Sequence, residues 1–418
     1  MAKLSFVTLR TATAPDDGSW PPHALEPRRW STRPDARDAH GRRPPREDRE
    51  LTEITVSLPP LIAELSPRLS GTTTIAVEDA TAAVVALDRG AATQLGALSG
   101  FLLRSESIAT SRIERVYAET DDLARAIAGQ PAGQDAQRTA AAVEAIATLV
   151  GRAQNAPLTV DAIHDAHRTL LADDPREGRF AGGVRRVQNW IGGNDFSPRL
   201  ASYVPPPPDL VSVLMSDLVS AANRADIPAI AQTAIVHAQF ESIHPYTDGN
   251  GRVGRALINV VLRQRRLTQR VIVPVASVML ANVDHYFAQL DAYRAGDVDS
   301  LVRYMAEATI LASTEAVTSS ANLAALPGAW RDRIAARAGS ATDKLLERLL
   351  DTPVLTDKIA AAAARSSVRR IYDALDRLTA AEILAEITGN ERNRVWVVTD
   401  VLDEIDRLEQ RIGRRRTP

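Results

Sequence analysis

The chain contains no cysteine in its 418 residues, which excludes disulfide scaffolds, cysteine nucleophiles, iron–sulfur clusters and zinc ribbons. Aromatic residues make up only 4%, and the formal net charge of −2 argues against a protein held to nucleic acid or membrane by bulk electrostatics. No apolar run approaches the ~18 residues that a membrane span needs, and the amino terminus lacks the apolar core of a secretory signal. We therefore expect a cytoplasmic protein.

What is present is typical of folded domains. Hydrophobic residues make up 45% of the chain and charged residues 24%, the usual balance for a protein with hydrophobic cores. At ~150 residues per domain, the length predicts two to three domains. From residue 51 to residue 323, apolar residues recur three or four positions apart in alanine-rich segments, which indicates amphipathic helices. The predicted fold class is mainly α.

Three segments depart from this helical pattern. Residues 1–50 are rich in proline and arginine without apolar periodicity, and we expect them to be disordered or loosely docked. Residues 187–194 read as a short strand entering a glycine turn, and four prolines at 205–208 follow, so the pattern predicts an edge hairpin or flap. From residue 340, three helices followed by two short strands predict a winged helix-turn-helix.

The stretch with the most chemical information is residues 244–255, which read HPYTDGNGRVGR between two predicted buried helices. Glycine-rich backbone ahead of a helix amino terminus presents unpaired N–H groups and partial positive charge to anions. Arg252 and Arg255 add positive charge, Asp248 is an oxygen ligand suited to Mg²⁺, and His244 is a base that titrates near neutral pH. Together these groups indicate phosphoryl or nucleotidyl transfer to a hydroxyl.

Each of these residues taken alone also has a structural interpretation, because glycine-rich loops are often turns and arginines three apart are often solvated. Other histidines favour structural roles. His164 and His167 lie three apart on a predicted helix without a third metal ligand at suitable spacing, so we expect packing. We expect His237 to be structural and Glu241 to brace the loop.

Residues 244–255 resemble the Fic-domain signature His-x-Phe-x-Asp/Glu-Gly-Asn-Gly-Arg-x-x-Arg at every position except Tyr246, where Phe is usual. Residues 188–193, followed by Tyr203, Val204 and the four prolines, resemble the flap that pins a target side chain beside the nucleotide. The resemblance implies an amino-terminal region with an inhibitory helix at 51–115, a Fic-type helical core with a small β-hairpin flap at 116–325, and a winged helix-turn-helix at 340–418.

The resemblance implies transfer of AMP from ATP to a Tyr, Thr or Ser hydroxyl of a protein, with release of pyrophosphate. His244 would deprotonate the hydroxyl, and Asp248 would hold the Mg²⁺ that bridges the α- and β-phosphates. Arg252 would bind near the β-phosphate, Arg255 would bind the γ-phosphate, and Tyr286 would lie near the adenine. The implied nucleotide-binding set is Asn189, Trp190, Ile191, Gly192, Gly249, Asn250, Gly251, Arg252, Gly254, Arg255 and Tyr286.

Two positions refine this expectation. Doc-type members of the family, which phosphorylate their targets, depart from Gly-Asn-Gly-Arg in the loop, so keeping Gly249 and Gly251 favours AMP transfer. A position near the adenine that can be Asn in the family is Arg294, which leaves the base selectivity open.

Residues 110–114, TSRIE, resemble the inhibitory pattern Ser/Thr-x-x-x-Glu-Gly/Asn. The resemblance implies that the helix carrying Thr110 places Glu114 against Arg255 in a bidentate, charge-assisted pair. ATP would still bind, but with its α-phosphate misplaced for in-line attack. Arg115 replaces the usual Gly or Asn, which suit the left-handed conformation that ends a helix. Either the helix continues or Glu114 is displaced.

Two alternative functions remain open. One is removal of AMP, with Glu114 positioning water and the same loop binding the adduct. The other is a DNA-binding regulator whose Fic core senses nucleotide, but the third helix of the predicted winged helix is only mildly basic. Its charged residues are Arg369, Arg370 and Arg377 against Asp373 and Asp376. Target recruitment or homodimer contacts fit this unit equally well, and self-modification is an option because tethered hydroxyls have high effective concentration.

Overall fold

The computed structural model describes residues 19–32, 41–90, 95–388 and 393–416. These residues form a mainly helical fold with two small antiparallel sheets, which confirms the predicted fold class. Within the described part of the chain, no helix is both long and apolar enough to cross a bilayer.

The helices and strands divide into three groups along the chain. The first comprises β1 (Ala24–Arg29), α1 (Arg46–Arg49) and β2 (Glu53–Leu58). The second comprises α2 (Gly71–Gly90), α3 (Leu95–Ile113), α4 (Thr120–Ile127), α5 (Gln134–Arg152), α6 (Val160–Leu171), α7 (Val211–Ala222), α8 (Ala229–Ile243), α9 (Asn250–Gln264), α10 (Val275–Leu280), α11 (Val283–Arg294) and α12 (Val298–Arg333). The third comprises α13 (Ala341–Leu346), β3 (Val354–Thr356), α14 (Asp357–Ala363), α15 (Val368–Ala380), β4 (Leu384–Glu386), β5 (Val395–Val398) and α16 (Thr399–Arg416).

Two consecutive helices, α8 and α9, form the centre of the second group. Every residue of α8 from Ile230 to Ile243 is buried, as is every residue of α9 from Asn250 to Arg263. A helix that is buried all round must pack against neighbours on every side, and α5, α7, α11 and α12 supply those contacts. The loop between α8 and α9 is therefore held at both ends by fully buried helices.

The expectation of disorder or loose docking is wrong for residues 19–32 and 41–50. β1 pairs with β2 in an antiparallel ladder from Ala24–Leu58 to Arg29–Glu53, and Trp20 is buried against Tyr293 at 6.0 Å between ring centroids. Sequence periodicity missed these contacts because β1 is mostly exposed without an alternating apolar pattern, and the buried Trp20 is a single residue. The rest of the predicted tail, at 1–18 and 33–40, lies outside the described residues.

The flap is a looser structure than the predicted hairpin. Ile191 and Tyr203 form one antiparallel bridge. Gly192 and Gly193 both have left-handed backbone (φ 76° and 75°), and a proline run follows, so the two sides cannot continue a ladder. The Asn194 side chain closes the turn by accepting from two backbone N–H groups.

The carboxy-terminal group agrees with the predicted order of three helices and two strands. It adds β3, so the sheet order is β3-β5-β4, and residues 389–392 between β4 and β5 lie outside the described residues. The sequence analysis missed α16, which follows β5 directly and packs against α12 and α3. Its buried stripe is Val401, Ile405, Leu408 and Ile412.

Candidate active site

His244 lies where α8 ends and the connecting loop begins. Its backbone is left-handed (φ 49°), and its N–H donates to the Phe240 carbonyl at 2.9 Å. Such a conformation costs a non-glycine residue roughly 1–2 kcal/mol, so surrounding contacts must hold it. Arg185 provides one of them, because its Nε donates to the His244 carbonyl at 2.9 Å.

The His244 ring has the properties of a proton acceptor. Within the described part of the chain, its Nδ1 is buried without a hydrogen-bond partner. Burial, together with the positive charges of Arg185 and Arg294, lowers the pKa of His244 to about 3. The imidazole is therefore neutral near pH 7, which is the protonation state that a general base requires.

The loop after His244 is closed by its own side chains. Asn250 Nδ2 donates to the Tyr246 carbonyl at 2.9 Å, and Asn250 Oδ1 accepts the Tyr246 N–H at 2.8 Å. Asp248 Oδ1 accepts the N–H of Gly249 at 2.6 Å, and Gly249 has left-handed backbone (φ 78°). Both polar atoms of the Asn250 side chain thus hold the loop.

Arg252 is buried at the start of α9, and some of its N–H donors are unpaired. It is 2% exposed, and its Nη2 lies 3.5 Å from Asp248 Oδ1. Among the described residues, its Nε and Nη1 have no hydrogen-bond partner. An unsatisfied buried donor costs about 1–3 kcal/mol, more if charged. Together with the helix amino terminus, these donors form an anion site.

Arg255, one turn further along α9, is fully engaged. Its Nη2 donates to Glu114 Oε1 at 2.5 Å, its Nε to Thr110 Oγ1 at 2.6 Å, and its Nη1 lies 3.5 Å from the Tyr286 hydroxyl. Burial is the largest single influence on Arg255 and would lower its pKa, but Glu114, Tyr286 and Glu241 together outweigh burial and raise that pKa. The predicted pair is therefore present, but through one carboxylate oxygen of Glu114. The Nε of Arg255, which a bidentate pair would also use, donates to Thr110 Oγ1 instead.

Two glycines allow this close packing. A Cβ on Gly251 would lie 1.8 Å from Glu114 Oε1, so Glu114 rests directly on the backbone at the start of α9. A Cβ on Gly254 would lie 2.3 Å from Glu241 Oε1 and 2.9 Å from the Phe240 ring. Gly254 is therefore needed for the contact between α8 and α9, which differs from its predicted role in nucleotide binding.

The end of α3 resolves the question raised by Arg115. This residue adopts the left-handed conformation (φ 58°) that glycine would favour. The N–H of Arg115 donates to the Arg112 carbonyl and that of Val116 to the Ser111 carbonyl, both at 3.0 Å. These two bonds form a Schellman motif. Helix α3 therefore ends at Ile113, and Glu114 directly after it is placed against Arg255.

Tyr246 connects the loop to α6. Its ring stacks on His167 at 3.6 Å between centroids, and its hydroxyl bonds His164 Nδ1 at 2.8 Å. Gly182 N–H donates to His167 Nδ1, which leaves Nε2 to donate to the Asp248 carbonyl at 3.0 Å. Tyr246 therefore packs the loop against α6, and His164 and His167 take part in this packing, the role expected for both.

The flap residues lie beside His244. Asn189 Nδ2 donates to the Tyr246 carbonyl at 3.0 Å, Trp190 Nε1 donates to the Asn194 carbonyl at 2.7 Å, and Ile191 forms the single bridge. Gly192 supplies the first left-handed turn position.

Tyr286 differs from its expected place near an adenine. It is 1% exposed, and its hydroxyl bonds His237 Nε2 at 3.0 Å and faces Arg255. In this structure it braces Arg255 from within the core. Arg294 stacks its guanidinium on the Tyr203 ring at 3.6 Å.

Arg185 is the site residue that sequence analysis missed. It is 2% exposed, and its guanidinium donates to the carbonyls of Val187, Pro206, Ile243 and His244. Backbone carbonyls carry no side-chain signature, so no sequence spacing marks this residue.

We predict that Arg115→Gly stabilises the protein, because glycine pays no steric penalty in the left-handed conformation. The free energy of unfolding should rise by about 0.5–1 kcal/mol, measured by urea denaturation. Arg115→Ala is the matched control and should change it little, since alanine has the same Cβ. A lower stability for the glycine variant would contradict this account of the helix end.

Comparisons with known proteins agree with this site. Residues 157–262 match the family described as Fic/DOC family. The chain is 32% identical to the protein adenylyltransferase Fic of Aedes aegypti over 167 residues, 39% of this chain and 30% of that protein. It is also 32% identical to the protein adenylyltransferase fic-1 of Caenorhabditis elegans over 154 residues, 36% of this chain and 27% of that protein. The match thus spans less than a third of these relatives.

Among solved structures, a Fic family protein from Desulfovibrio desulfuricans G20 superposes with a TM-score of 0.50 and 19% sequence identity. The match covers 79% of this chain and 97% of that one. At this identity the likeness concerns the fold alone. The stretch from the segment before α6 into α9, which contains the loop with His244 and both buried arginines, therefore carries the match to the Fic/DOC family.

Proposed function

We propose that the protein transfers AMP from ATP to a hydroxyl group of a protein side chain. The observation that carries this proposal is the buried Arg252 guanidinium with two unpaired donors among the described residues. It lies at the amino terminus of α9, eight residues after a neutral histidine. An anion site next to a proton acceptor is what attack of a hydroxyl on a phosphate ester requires. The names of the curated relatives support the same reaction.

In the proposed reaction, His244 accepts the proton of the target hydroxyl as its oxygen bonds to the α-phosphorus. The bond from that phosphorus to the bridging oxygen breaks, and pyrophosphate leaves with its electron pair. Arg252 and the backbone N–H groups of Asn250 and Gly251 stabilise negative charge on the phosphates. The protonated histidine later returns its proton to solvent.

Asp248 is the residue proposed to hold Mg²⁺. Its side chain is 40% exposed. Gly249 N–H and Arg252 both bond to Asp248 Oδ1, so Oδ2 is the oxygen left for a cation. Magnesium usually binds through one or two carboxylates plus substrate phosphates and water, so one carboxylate beside an anion site fits it. When bound, the metal would neutralise charge on the phosphates.

We further propose that Glu114 inhibits this activity. Arg252 has free donors, whereas the guanidinium of Arg255 already contacts Glu114, Thr110 and Tyr286. A triphosphate would therefore find one of its two arginine partners occupied. A nucleotide held by Arg252 alone is not positioned for in-line attack, so release of Glu114 would permit transfer.

For residues 340–418 we propose a winged helix-turn-helix that binds a protein or DNA. The order of α13, α14, α15, β4 and β5 supports this assignment. Homodimer formation and self-modification remain part of the proposal.

We predict that Glu114→Gly raises AMP transfer at least tenfold, because it frees Arg255 for phosphate. The measurement is intact-mass spectrometry after incubation with ATP and Mg²⁺. Glu114→Gly/His244→Ala is the control and should lose the added AMP mass. An absence of adduct in all forms, with a pre-modified protein losing AMP only when Glu114 is present, would instead establish AMP removal.

We predict that AMP transfer has no acid limb from His244 between pH 5 and pH 8. A pKa of about 3 leaves its imidazole unprotonated throughout this range, and the base form is lost only at lower pH. The ionisation of Glu241 has to be eliminated by substitution, because burial raises the pKa of Glu241 to about 7, inside the measured range. The profile should therefore be flat in Glu114→Gly/Glu241→Gln. A midpoint near 6.5 in that variant would contradict the assignment.

A further inference from the structure

A groove of about 1290 Å³ opens beside the candidate active site. Its walls are formed by Trp30 of the amino-terminal segment, His164 of α6, the segment 179–188 and Trp190 of the flap. Thr247 of the loop between α8 and α9 also lines it. Because Thr247 is three residues from His244, a chain lying in this groove would pass next to the proposed base. The groove is separate from the anion site, since none of the residues from Gly249 to Arg255 lines it.

The groove combines apolar side chains with positive charge. Phe180 and Val187 are 39% and 46% exposed, which is high for large apolar residues. Arg179 and Arg186 are exposed, and neither forms an ion pair with another described residue. Buried Arg185 adds a third positive charge whose hydrogen-bond partners are carbonyls.

Among the described residues, one acidic side chain, Asp195, lines the groove against three arginines. Its field is therefore positive, although the whole chain carries a formal charge of −2. A local field of opposite sign to the whole protein selects and steers anionic partners.

We propose that this groove binds an acidic polypeptide segment with apolar side chains, belonging to the protein that receives AMP. The identity of that partner as the AMP acceptor rests on the proposed function, whereas the charge and shape of the groove do not. A nucleic-acid strand fits less well, because Trp190 and Trp30 pack edge to face at 5.6 Å and the Arg179 guanidinium lies over the Phe180 ring at 4.6 Å, so a base would have to displace these partners to stack between the rings. Stacking of bases requires free aromatic faces.

The test measures binding and needs no activity. Fluorescein-labelled peptides of equal length, each with one tyrosine and two leucines, would carry flanking glutamates or flanking lysines. Fluorescence anisotropy with the full-length protein should give a Kd for the acidic peptide about tenfold below that of the basic one. Arg179→Glu/Arg186→Glu should abolish this preference. Arg303→Glu/Arg331→Glu, the same change at exposed positions of α12, should preserve it.

Three results would overturn the proposal: equal affinity for both peptides, an acidic preference that survives the groove substitution, or tighter binding of a single-stranded oligonucleotide than of the acidic peptide. AMP transfer is measured separately in the Glu114→Gly background. If the peptide preference is present while Glu114→Gly shows no transfer, the groove assignment holds and the proposed function fails.

An independent observation concerns the contact between α3 and α16. Arg112, two residues before Glu114, pairs through Nη1 with Glu409 Oε2 at 2.5 Å. The two side chains are 30% and 19% exposed, so solvent screens this pair less than a surface pair. The carboxy-terminal helix thus holds the turn of α3 that presents Glu114.

The other side of α16 is fixed to α12. Arg411 bridges Glu315 and Glu404, with each N···O distance 2.9 Å, and both glutamates are almost fully buried. The Ser319 hydroxyl also donates to Glu404 at 2.8 Å. Helix α16 follows β5 without a linker. A displacement of the carboxy-terminal sheet would therefore move α16 and lengthen the ion pair between Glu409 and Arg112.

We infer that the carboxy-terminal unit regulates Glu114 through α16. A ligand that draws α16 away would remove the partner of Arg112 and loosen the last turn of α3. Glu114 would then leave Arg255. The link from Glu114 to activity rests on the proposed function, but the mechanical link from α16 to α3 does not.

Hydrogen exchange of the amides at 111–116 in the full-length protein tests this inference. Glu409→Arg and Arg112→Glu should each speed exchange at least fivefold, and the double charge swap should return it to within twofold of wild type. Asp403→Arg is the control, because Asp403 pairs only weakly within α16, with Arg407 at 3.8 Å. It should leave exchange unchanged.

Unchanged exchange in Glu409→Arg, no recovery in the double swap, or an equal effect of Asp403→Arg would each overturn the inference. AMP transfer in Glu409→Arg should rise in parallel with exchange. If exchange responds while Glu114→Gly shows no transfer, the coupling of α16 to α3 stands and the proposed function does not.

Discussion

Two guanidinium groups buried three residues apart at the start of α9 impose the constraint on which the rest of the site depends. A buried charge is tolerated only when it is paired or hydrogen-bonded. Arg255 meets this condition through Glu114, Thr110 and Tyr286, whereas Arg252 meets it only in part. The guanidinium of Arg252 therefore still lacks a full set of negative partners, and this position is the one proposed to bind an anion.

The surroundings follow from satisfying that constraint within a dense core. Gly251 has no side chain, so Glu114 can reach Arg255 across the backbone of α9. The left-handed turn at Arg115 ends α3 directly after the carboxylate that is needed. An unfavourable backbone conformation at Arg115 is thus compensated by the charge pair next to it. The same reasoning explains His244, whose left-handed backbone is held by Arg185.

Sequence reasoning succeeded where a short motif carries the chemistry. The residues from His244 to Arg255 form one continuous motif, whereas the pairing of Glu114 with Arg255 joins two different helices and was expected only from the family resemblance. Asn250 and Tyr286 were expected to touch nucleotide, but the structure uses their polar atoms inside the protein. The order of residues 19–32 was missed because a few large side chains, not a periodic pattern, anchor it.

Helix α16 is a different case, because its signal was present in the sequence. Val401, Ile405, Leu408 and Ile412 recur with helical spacing, and their burial agrees with that pattern. Arg185 had no comparable signal, since its partners are carbonyls supplied by the flap and by the end of α8.

Arg185 has a thermodynamic consequence for any chain that approaches the flap. One planar guanidinium ties both ends of the flap and the base-bearing turn together. Because arginine keeps its proton under all physiological conditions, this tie does not vary with pH. The edge of the site is therefore ordered before an acceptor arrives. Its conformational entropy is lost when the protein folds, so binding of the acceptor causes a smaller further loss.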